Sequence, residues 1–359
     1  MIPAFFVALL AVIIALIGGT QKNYNHWLLV SFAILTVFLC LGYYWGSDVE
    51  RYEQRFLYYA DSGISAFDFS EYDYLSRSEF GFVFINLICK PLGYWGMRAV
   101  LFFLENAIIY YFIINHVDKK WYWLAVFVYV FNPYFWALSS SMMRQWLAIC
   151  LCLLSVEFLL RGKKLFYFIT ILIAYTIHLT ALVCLLYLPI YYIAKSRSYN
   201  IVFAFSLALV LFYFTFVLFF RDYLILFLNT EDIYTAYTDV TTGVGISSIA
   251  RLLIYIYILY VAIKQQFKDR LLNWIVILYA LTLPLLSYSQ LVSRIGLFFT
   301  SSTIATYPIF MSQAKVGELF KKALLVLVCS YLLYLFYVFF TGPTFYSSYY
   351  HYNTLPFFN

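Results

Sequence analysis

The chain has 359 residues, of which 65% are hydrophobic and 11% are charged, and its formal net charge is +6. A soluble domain carries about 25% charged residues, and one water-soluble core could not bury this much apolar surface. The composition therefore excludes a water-soluble protein and predicts one embedded in a lipid bilayer. The basic residues flank apolar segments in small clusters, so no nucleic-acid partner is expected.

The apolar segments favour helices over a barrel. A membrane barrel shows alternating segments of about 10 residues, whereas the apolar runs here are long and continuous. A helical span needs about 20 apolar residues. The sequence predicts an all-α, polytopic integral membrane protein of about 11–12 transmembrane helices, forming a single membrane-embedded domain over residues 1–359. The candidate spans are residues 2–18, 27–45, 98–115, 121–138, 146–160, 165–193, 200–220, 248–263, 271–286, 295–312 and 323–340.

Lysine and arginine in short connections set the predicted orientation, because such residues stay on the cytoplasmic side. Basic clusters follow or precede most spans, and these connections are predicted to lie inside. The connection 46–79 is different, since it carries eight acidic residues against three arginines. We expect this connection, and a second one over residues 221–246, to form outer loops.

Two apolar segments do not fit a simple crossing. Residues 80–95 are interrupted by Lys90 and Pro91. If this segment crossed the membrane, the next basic pair, Lys119 and Lys120, would lie outside the cytoplasm. A re-entrant or interfacial helix is predicted instead. Residues 165–193 have basic clusters at both ends but are short for two full spans, so two half-length helices meeting near His178 are predicted. Non-helical backbone at that depth is tolerated only beside protein or water, which indicates an outer-face cavity.

Three arginines stand at the predicted outer starts of spans: Arg144, Arg251 and Arg294. Ionisable groups at membrane depth are costly and are functional candidates by default. Arginine stays charged and binds phosphate oxygens in a bidentate manner, so a converging set suits a lipid-linked diphosphate. The alternative for each is a side chain that snorkels to the membrane interface.

His178 lies at the predicted break, and an imidazole there could deprotonate a sugar hydroxyl or donate a hydrogen bond to a phosphate. The alternative is a buried histidine bonded to a neighbouring helix. Asp48 and Glu79 stand near aromatic residues at the two ends of the outer loop. Carboxylates beside aromatic rings suit sugar binding, and the alternative is that they are solvated loop acids.

The sequence lacks a P-loop, a Rossmann glycine motif, an HExxH zinc site and a GxSxG elbow. No cofactor and no metal ion are therefore expected.

The chain resembles bacterial surface-polysaccharide polymerases of the Wzy/EpsG type. The matching pieces run in order over most of the chain: Gly46-Ser47-Asp48 with Tyr52, Glu79-Phe80-Gly81, Met143-Arg144-Gln145, Ala174-Tyr175-Thr176-Ile177-His178 and Ser293-Arg294. The resemblance implies an enzyme of the bacterial inner membrane whose active site faces the exterior. Such enzymes transfer a growing glycan from undecaprenyl diphosphate to a hydroxyl of the next lipid-linked repeat unit, without metal. A direct displacement of this kind predicts inversion at the anomeric carbon. The resemblance also implies a chain-length regulator and a flippase as partners.

The resemblance assigns roles to the matched residues. Arg144 and Arg294 would neutralise the departing diphosphate, with Arg251 as a further candidate. His178 would act as base for the acceptor hydroxyl or would orient the diphosphate. The other matched residues are assigned to substrate binding, with Glu79 as the alternative base: Asp48, Tyr52, Glu79 and Gln145.

Two other functions remain open from the sequence. A flippase or exporter of lipid-linked oligosaccharides would use the same basic cavity without a base, although such transporters often show internal repeats. A glycosyltransferase that uses a lipid-linked sugar, or an O-antigen ligase, would make use of the acids in the outer loop.

Overall fold

The computed structural model of the chain describes residues 1–63, 79–195, 208, 261, 265, 270–282, 290–343 and 345–355. Within them, five helical stretches are long and apolar enough to cross a membrane, and some of these stretches join more than one of the helices numbered below. They are Tyr24–Leu41, Lys90–His116, Met143–Leu160, Arg294–Gln313 and Glu318–Thr341. The predicted all-α, polytopic class is therefore confirmed. The full count of 11–12 spans stays a prediction, because candidate spans 200–220 and 248–263 lie almost wholly outside the described residues.

The described helices are numbered here in chain order. They are α1 Ile2–Gly18, α2 Tyr24–Leu41, α3 Val49–Ser62, α4 Phe80–Ile88, α5 Gly93–His116, α6 Tyr122–Phe131, α7 Met143–Leu160, α8 Lys164–Ile177, α9 Tyr187–Lys195, α10 Arg270–Thr282, α11 Gln290–Thr300, α12 Thr303–Gln313, α13 Glu318–Thr341 and α14 Tyr346–Tyr349. Two short strands, β1 Gly42–Tyr43 and β2 Asn353–Thr354, pair antiparallel.

The chain divides into two compact units. The first contains Met1–Leu182, Tyr307–Ser312 and Val316–Asn359, and the second contains Val183–Thr306 and Gln313–Lys315. Within the first unit, α1 packs on α2 and α6, α5 packs on α2 and α7, and α7 packs on α8. Within the second, α10 packs on α9 and α11.

Small residues let the first two helices pack closely. Ala4, Ala8, Ala11 and Ala15 recur at helical spacing and are buried. The same face ends at Gly18, where an added Cβ would lie 2.1 Å from the Cβ of Trp27. In lipid, where helix association depends on close packing, small residues at a helix–helix contact are the expected solution.

The polar connection 46–79 is not entirely a loop, because its first half forms the amphipathic helix α3. One face of α3 buries Val49, Tyr52 and Phe56. Residues 64–78 of this connection, and all of the predicted outer loop 221–246, lie outside the described residues.

The interrupted segment 80–95 behaves as predicted in one respect. Helix α4 has nine residues, far fewer than the about 20 that a span needs. It ends at Cys89, and Lys90, Pro91 and Leu92 form a single 3₁₀ turn before α5 begins. The Lys90 Nζ donates to the Ala60 carbonyl at the end of α3, 2.5 Å away.

The predicted span over residues 121–138 is wrong in its second half. Helix α6 ends at Phe131, because Pro133 disfavours the helical conformation of the residue before it, Asn132. Residues 133–137 form turns, and a 3₁₀ turn at Leu138–Ser140 leads into α7.

The predicted break near His178 is confirmed. Helix α8 ends at Ile177, and His178 has extended backbone angles of φ −153° and ψ 118°. A 3₁₀ segment, Leu179–Leu186, then leads to α9. Pro189 lies in the first turn of α9, where its missing N–H costs no helical hydrogen bond. The number of times that this segment crosses the membrane stays a prediction.

The aromatic C-terminal segment packs back onto the first unit. Tyr349 is fully buried. Its carbonyl accepts a hydrogen bond from the Trp45 Nε1, 3.0 Å away, and Tyr352 donates to the Phe38 carbonyl at 2.6 Å. Together with the β1–β2 pair, these contacts fix the turn that follows α2.

Candidate active site

Three of the predicted site residues meet around one carboxylate. Glu79 Oε1 is 2.6 Å from His178 Nδ1, and Glu79 Oε2 accepts a hydrogen bond from Arg144 Nη1. The Glu79 side chain is only 5% exposed, whereas those of His178 and Arg144 are 15% and 20% exposed. The carboxylate is therefore enclosed, while the His178 and Arg144 side chains on either side of it keep a small exposed fraction.

Each of the three residues lies at a helix end in the first unit. Glu79 is the N-cap residue of α4, Arg144 is the second residue of α7, and His178 is the C-cap residue of α8. A carboxylate is favoured at a helix N-terminus, where the backbone N–H groups give a partial positive charge. At a helix end, backbone groups and side chains lie outside the regular backbone hydrogen bonds of the helix. Three helix ends can therefore converge at a point where three continuous helices could not.

Gly81 permits the approach that joins Glu79 to His178. A Cβ at Gly81 would lie 2.2 Å from Thr176 Oγ1 and 2.9 Å from the Thr176 backbone carbon. Helix α4 therefore packs against the last turn of α8 with no space for a side chain. This contact explains why residue 81, two positions after Glu79, is a glycine.

Aromatic rings hold the Arg144 guanidinium in place. Its Cζ lies 5.6 Å from the ring centre of Tyr52 and 5.9 Å from that of Phe82. Its Nε donates to the Tyr52 hydroxyl at 3.4 Å. Both rings belong to a buried apolar cluster that also contains Met143 and Ile177, the neighbours of Arg144 and His178 in sequence. The site is thus set into a packed core.

The charges of the site favour an ionised Glu79. Burial raises the pKa of this carboxyl, but the hydrogen bond from His178 and the charge of Arg144 outweigh burial and hold the pKa below its ordinary value. An ionised carboxylate only accepts, so His178 Nδ1 must carry the proton that it donates. In the neutral imidazole, Nε2 is then an acceptor. This Nε2 is buried and has no hydrogen-bond partner among the described residues.

Asp48 makes no contact with the Glu79, Arg144 and His178 side chains that the structure records. It precedes α3, is partly exposed, and has Arg51 as a weak partner at 4.0 Å. The preceding Gly46 has φ +136°, and the backbone N–H of Ser47 donates to Ser141 Oγ at 2.6 Å. The matched Gly46-Ser47-Asp48 stretch therefore forms a turn anchored on the serine loop before α7.

The other predicted site residues are placed less directly. Gln145 follows Arg144 and is buried. Arg294 is half-buried, is the first residue of the membrane-crossing stretch Arg294–Gln313 and the fifth of α11, and belongs to the second unit. Arg251 lies outside the described residues. The roles of these three residues, like those of the other predicted site residues, stay predictions.

Sequence reasoning missed two residues that support the turn beside the site. Arg98 is fully buried and donates to the carbonyls of Gly42, at 2.9 Å, and Trp45, at 3.4 Å. The Tyr349 hydroxyl bonds to Ser141 Oγ and lies 3.3 Å from Ser140 Oγ. The run of three serines before Arg144 was the available signal, since adjacent serines in an apolar segment need partners.

A second Glu–His–Arg group joins the far ends of α5 and α7. Glu157 Oε1 bonds to His116 Nε2, and Glu157 Oε2 is 3.5 Å from Arg161. The His116 and Glu157 side chains are each 5% exposed. This group has the same chemistry as the Glu79 cluster and lies at the opposite end of α7, so it serves below as a matched control.

Among the described residues, no three His, Cys, Asp or Glu side chains are grouped so that they could hold a metal ion. The arrangement around Glu79 offers a proton acceptor and a cation side by side. That pair suits a displacement in which a hydroxyl loses a proton and an anionic group departs.

Comparison with known proteins gave one family. No curated protein and no solved structure matches the chain. The family model described as the EpsG family matches residues 25–354, a range that includes Glu79, Arg144 and His178. Since this range covers most of the 359 residues, the chain is a member of the EpsG family.

Proposed function

We propose that the chain polymerises a bacterial surface polysaccharide by transferring the growing glycan from undecaprenyl diphosphate to a hydroxyl of the next lipid-linked repeat unit. Membership of the EpsG family supports the coarser statement, a polymerase-type role in making surface polysaccharide at the bacterial inner membrane. The observation that carries the finer proposal is the Glu79 carboxylate, which binds His178 on one oxygen and Arg144 on the other.

In the proposed reaction His178 Nε2 removes the proton of the acceptor hydroxyl. The acceptor oxygen forms a bond with the anomeric carbon as the bond from that carbon to the diphosphate oxygen breaks, and the electron pair leaves with the diphosphate. A single displacement of this kind inverts the anomeric centre. Glu79 keeps the proton on Nδ1 and stabilises the imidazolium that forms, as carboxylates do for catalytic histidines.

Arg144 would bind the diphosphate of the donor. Among the described residues, two of its five N–H donors are engaged, one by Glu79 and one by Tyr52, so further donors remain for an anion. The N-terminus of α7 adds partial positive charge at the same place. Charge that develops on the leaving oxygen would therefore be met by groups that are already oriented, which lowers the barrier without reorganisation. For Arg294 the same role is proposed from the sequence resemblance alone.

Asp48, Tyr52 and Gln145 are proposed as sugar-binding residues. Glu79 is a weaker candidate for that role, because both of its oxygens are already engaged within the protein. The site is proposed to face the exterior, where the acidic connection 46–79 is predicted to lie. No nucleotide sugar, metal or ATP enters the proposed reaction.

The test is reconstitution of the purified chain with lipid-linked oligosaccharide extracted from a source strain that lacks its gene. We expect a ladder of oligomers without ATP or added metal. Arg144→Gln and His178→Gln should abolish the ladder. Arg161→Gln, which removes the arginine of the matched group beside Glu157, should retain it.

Two outcomes would contradict the proposal. If Arg144→Gln and His178→Gln kept the ladder, the Glu79 cluster would not be the active site. If the wild-type chain produced no ladder but moved the lipid-linked oligosaccharide between leaflets, the chain would be a flippase.

A further inference from the structure

A basic cavity lies in the first unit, away from the Glu79 cluster. It has a volume of about 720 Å³, and four of its lining residues are lysines. Lys119 and Lys120 come from the 3₁₀ turn before α6, and Lys321 and Lys322 come from the beginning of α13. The cavity therefore joins two basic clusters that are about 200 residues apart in sequence.

The positive charge of the cavity is only partly neutralised. Asp118 and Glu318 also line it, which leaves a formal charge of +2 for four lysines and two acids. Glu318 is 79% exposed and its Oε1 is 3.7 Å from Lys321 Nζ, a geometry that contributes little attraction in water. The Lys321 side chain, by contrast, is 19% exposed, so its charge is held close to the protein surface. An anion in the cavity would meet lysines on two sides.

Part of the cavity wall is apolar. Met311 and Leu325 line it together with Trp121. Just outside, on the first turn of α13, Leu319 is 83% exposed and Phe320 is 40% exposed. Exposed leucine and phenylalanine beside lysines at the end of a membrane helix are typical of the interface, where apolar side chains enter the acyl region. A ligand here would meet positive charge at one end and an apolar surface at the other.

We propose that this cavity binds the phosphate headgroup of an anionic phospholipid from the cytoplasmic leaflet, with the acyl chains lying along Leu319 and Phe320. Basic pockets at the cytoplasmic ends of transmembrane helices suit such headgroups. The volume is in the range of small-ligand sites, which is large enough for one headgroup. A soluble phosphate would use the lysines but not the apolar surface, and an acidic protein segment would leave Leu319 and Phe320 exposed. The proposal does not depend on the polymerase reaction.

The test is native mass spectrometry of the full chain in detergent, titrated with cardiolipin, with phosphatidylglycerol and with phosphatidylcholine. Inorganic phosphate is titrated separately, with the thermal unfolding midpoint as the readout. We expect the two anionic lipids to be retained and phosphatidylcholine to be lost. Lys120→Gln combined with Lys322→Gln should weaken binding of the anionic lipids by about 30-fold, or about fivefold for each lysine.

The matched control is Lys163→Gln combined with Lys164→Gln, which removes two lysines of another predicted cytoplasmic connection that do not line the cavity. This variant should bind within about twofold of the wild type, because its lysines lie elsewhere. Lys120→Arg combined with Lys322→Arg keeps both charges and should retain binding. Circular dichroism of all variants checks that they are folded.

Three results would overturn the proposal. Equal retention of phosphatidylcholine would show that charge plays no part. Equal loss of lipid in the two glutamine variants would show that the cavity is not the site. Stabilisation by inorganic phosphate at the same concentration as the lipid would identify the ligand as a soluble anion.

Discussion

Replacing Glu79 with glutamine tests the proposed base while keeping the shape of the side chain. Arg144 can only donate, so the amide oxygen of the glutamine must face Arg144. The amide NH₂ then faces His178 Nδ1, which must become an acceptor to pair with it. The imidazole responds by moving its proton to Nε2, and the atom proposed to receive the acceptor proton is then already protonated. The substitution therefore removes the base without removing the histidine.

The size of the effect follows from the role of the base. General base catalysis contributes about 10²- to 10⁴-fold to a rate, so we expect kcat to fall by about 10³-fold, which corresponds to about 4 kcal/mol in the barrier. Binding of the donor diphosphate depends on Arg144, which remains in place, so KM should change much less. The assay is the steady-state rate of transfer in proteoliposomes, measured over a range of concentrations of lipid-linked oligosaccharide from a strain lacking the gene.

Glu157→Gln is the matched control, because Glu157 also pairs with a histidine and an arginine and is equally enclosed. Each substitution weakens charge-assisted hydrogen bonds and should cost about 1–3 kcal/mol in the free energy of unfolding. Only Glu79→Gln should slow transfer at a temperature where both variants are folded. The reasoning is refuted if both variants lose kcat to the same extent, or if Glu79→Gln transfers at the wild-type rate.

Three further predictions concern the same site. Gly81→Ala should separate α4 from α8, because its Cβ would lie 2.2 Å from Thr176 Oγ1, and we expect a cost of about 1–3 kcal/mol and at least about tenfold slower transfer. Gly317→Ala, whose Cβ would meet nothing within 4 Å, should transfer normally. Arg144→Lys keeps the charge but loses the planar set of donors, so kcat/KM should fall by about 10- to 100-fold, and unchanged kcat/KM would argue against diphosphate binding there. Because the pKa of Glu79 lies below its ordinary value, its ionised form stabilises the fold above about pH 4.5, and this stabilisation is lost as the pH falls through the lower native pKa. The difference in thermal midpoint between wild type and Glu79→Gln should therefore shrink from about pH 6 to about pH 3, and a constant difference would contradict it.

Composition and the length of the apolar segments were sufficient to predict the fold class. In a bilayer the backbone polar groups of a long apolar segment must form hydrogen bonds within the protein, and a helix satisfies this requirement. Charge placement also predicted the short helix after Glu79, because a crossing there would place Lys119 and Lys120 outside. It predicted the break at His178 because residues 165–193 have basic clusters at both ends. The end of α6 at Phe131 was missed, since the apolar pattern continues beyond Pro133 although the helix does not.

The candidate residues could be predicted individually, but their arrangement could not. Single arginines and histidines in apolar sequence are exceptional, which is why Arg144 and His178 were identified, whereas Glu79 was identified from its aromatic neighbours and from the family resemblance. That Glu79 joins the other two depends on a contact between α4 and α8, and the deciding atom is the missing Cβ of Gly81. A single sequence shows that glycine but does not show that Thr176 lies against it.

The end of α8 at Ile177 and the start of α4 after Glu79 build the site together. A continuous helix through residue 178 would place the backbone N–H and C=O of that residue in the regular hydrogen-bond ladder. Because α8 ends where α4 begins, an imidazole from one helix end and a carboxylate from the other lie within 2.6 Å, and Arg144 in the first turn of α7 lies at the same point. Any charge buried there must be balanced, since an isolated ion in a low-dielectric setting is costly. Glu79 balances Arg144 and at the same time fixes the proton of His178, so the residue that makes the buried arginine tolerable is also the one that prepares the proposed base. A substitution that keeps the charge balance but frees the histidine tautomer would separate these two contributions. Glu79→Gln and Glu157→Gln do not do so, because each removes a negative charge. Glu79→Asp is that substitution. Its carboxylate can still neutralise Arg144 but is about 1.5 Å too short to bridge both partners. We therefore expect a smaller proportional loss in the free energy of unfolding than in the rate of glycan transfer.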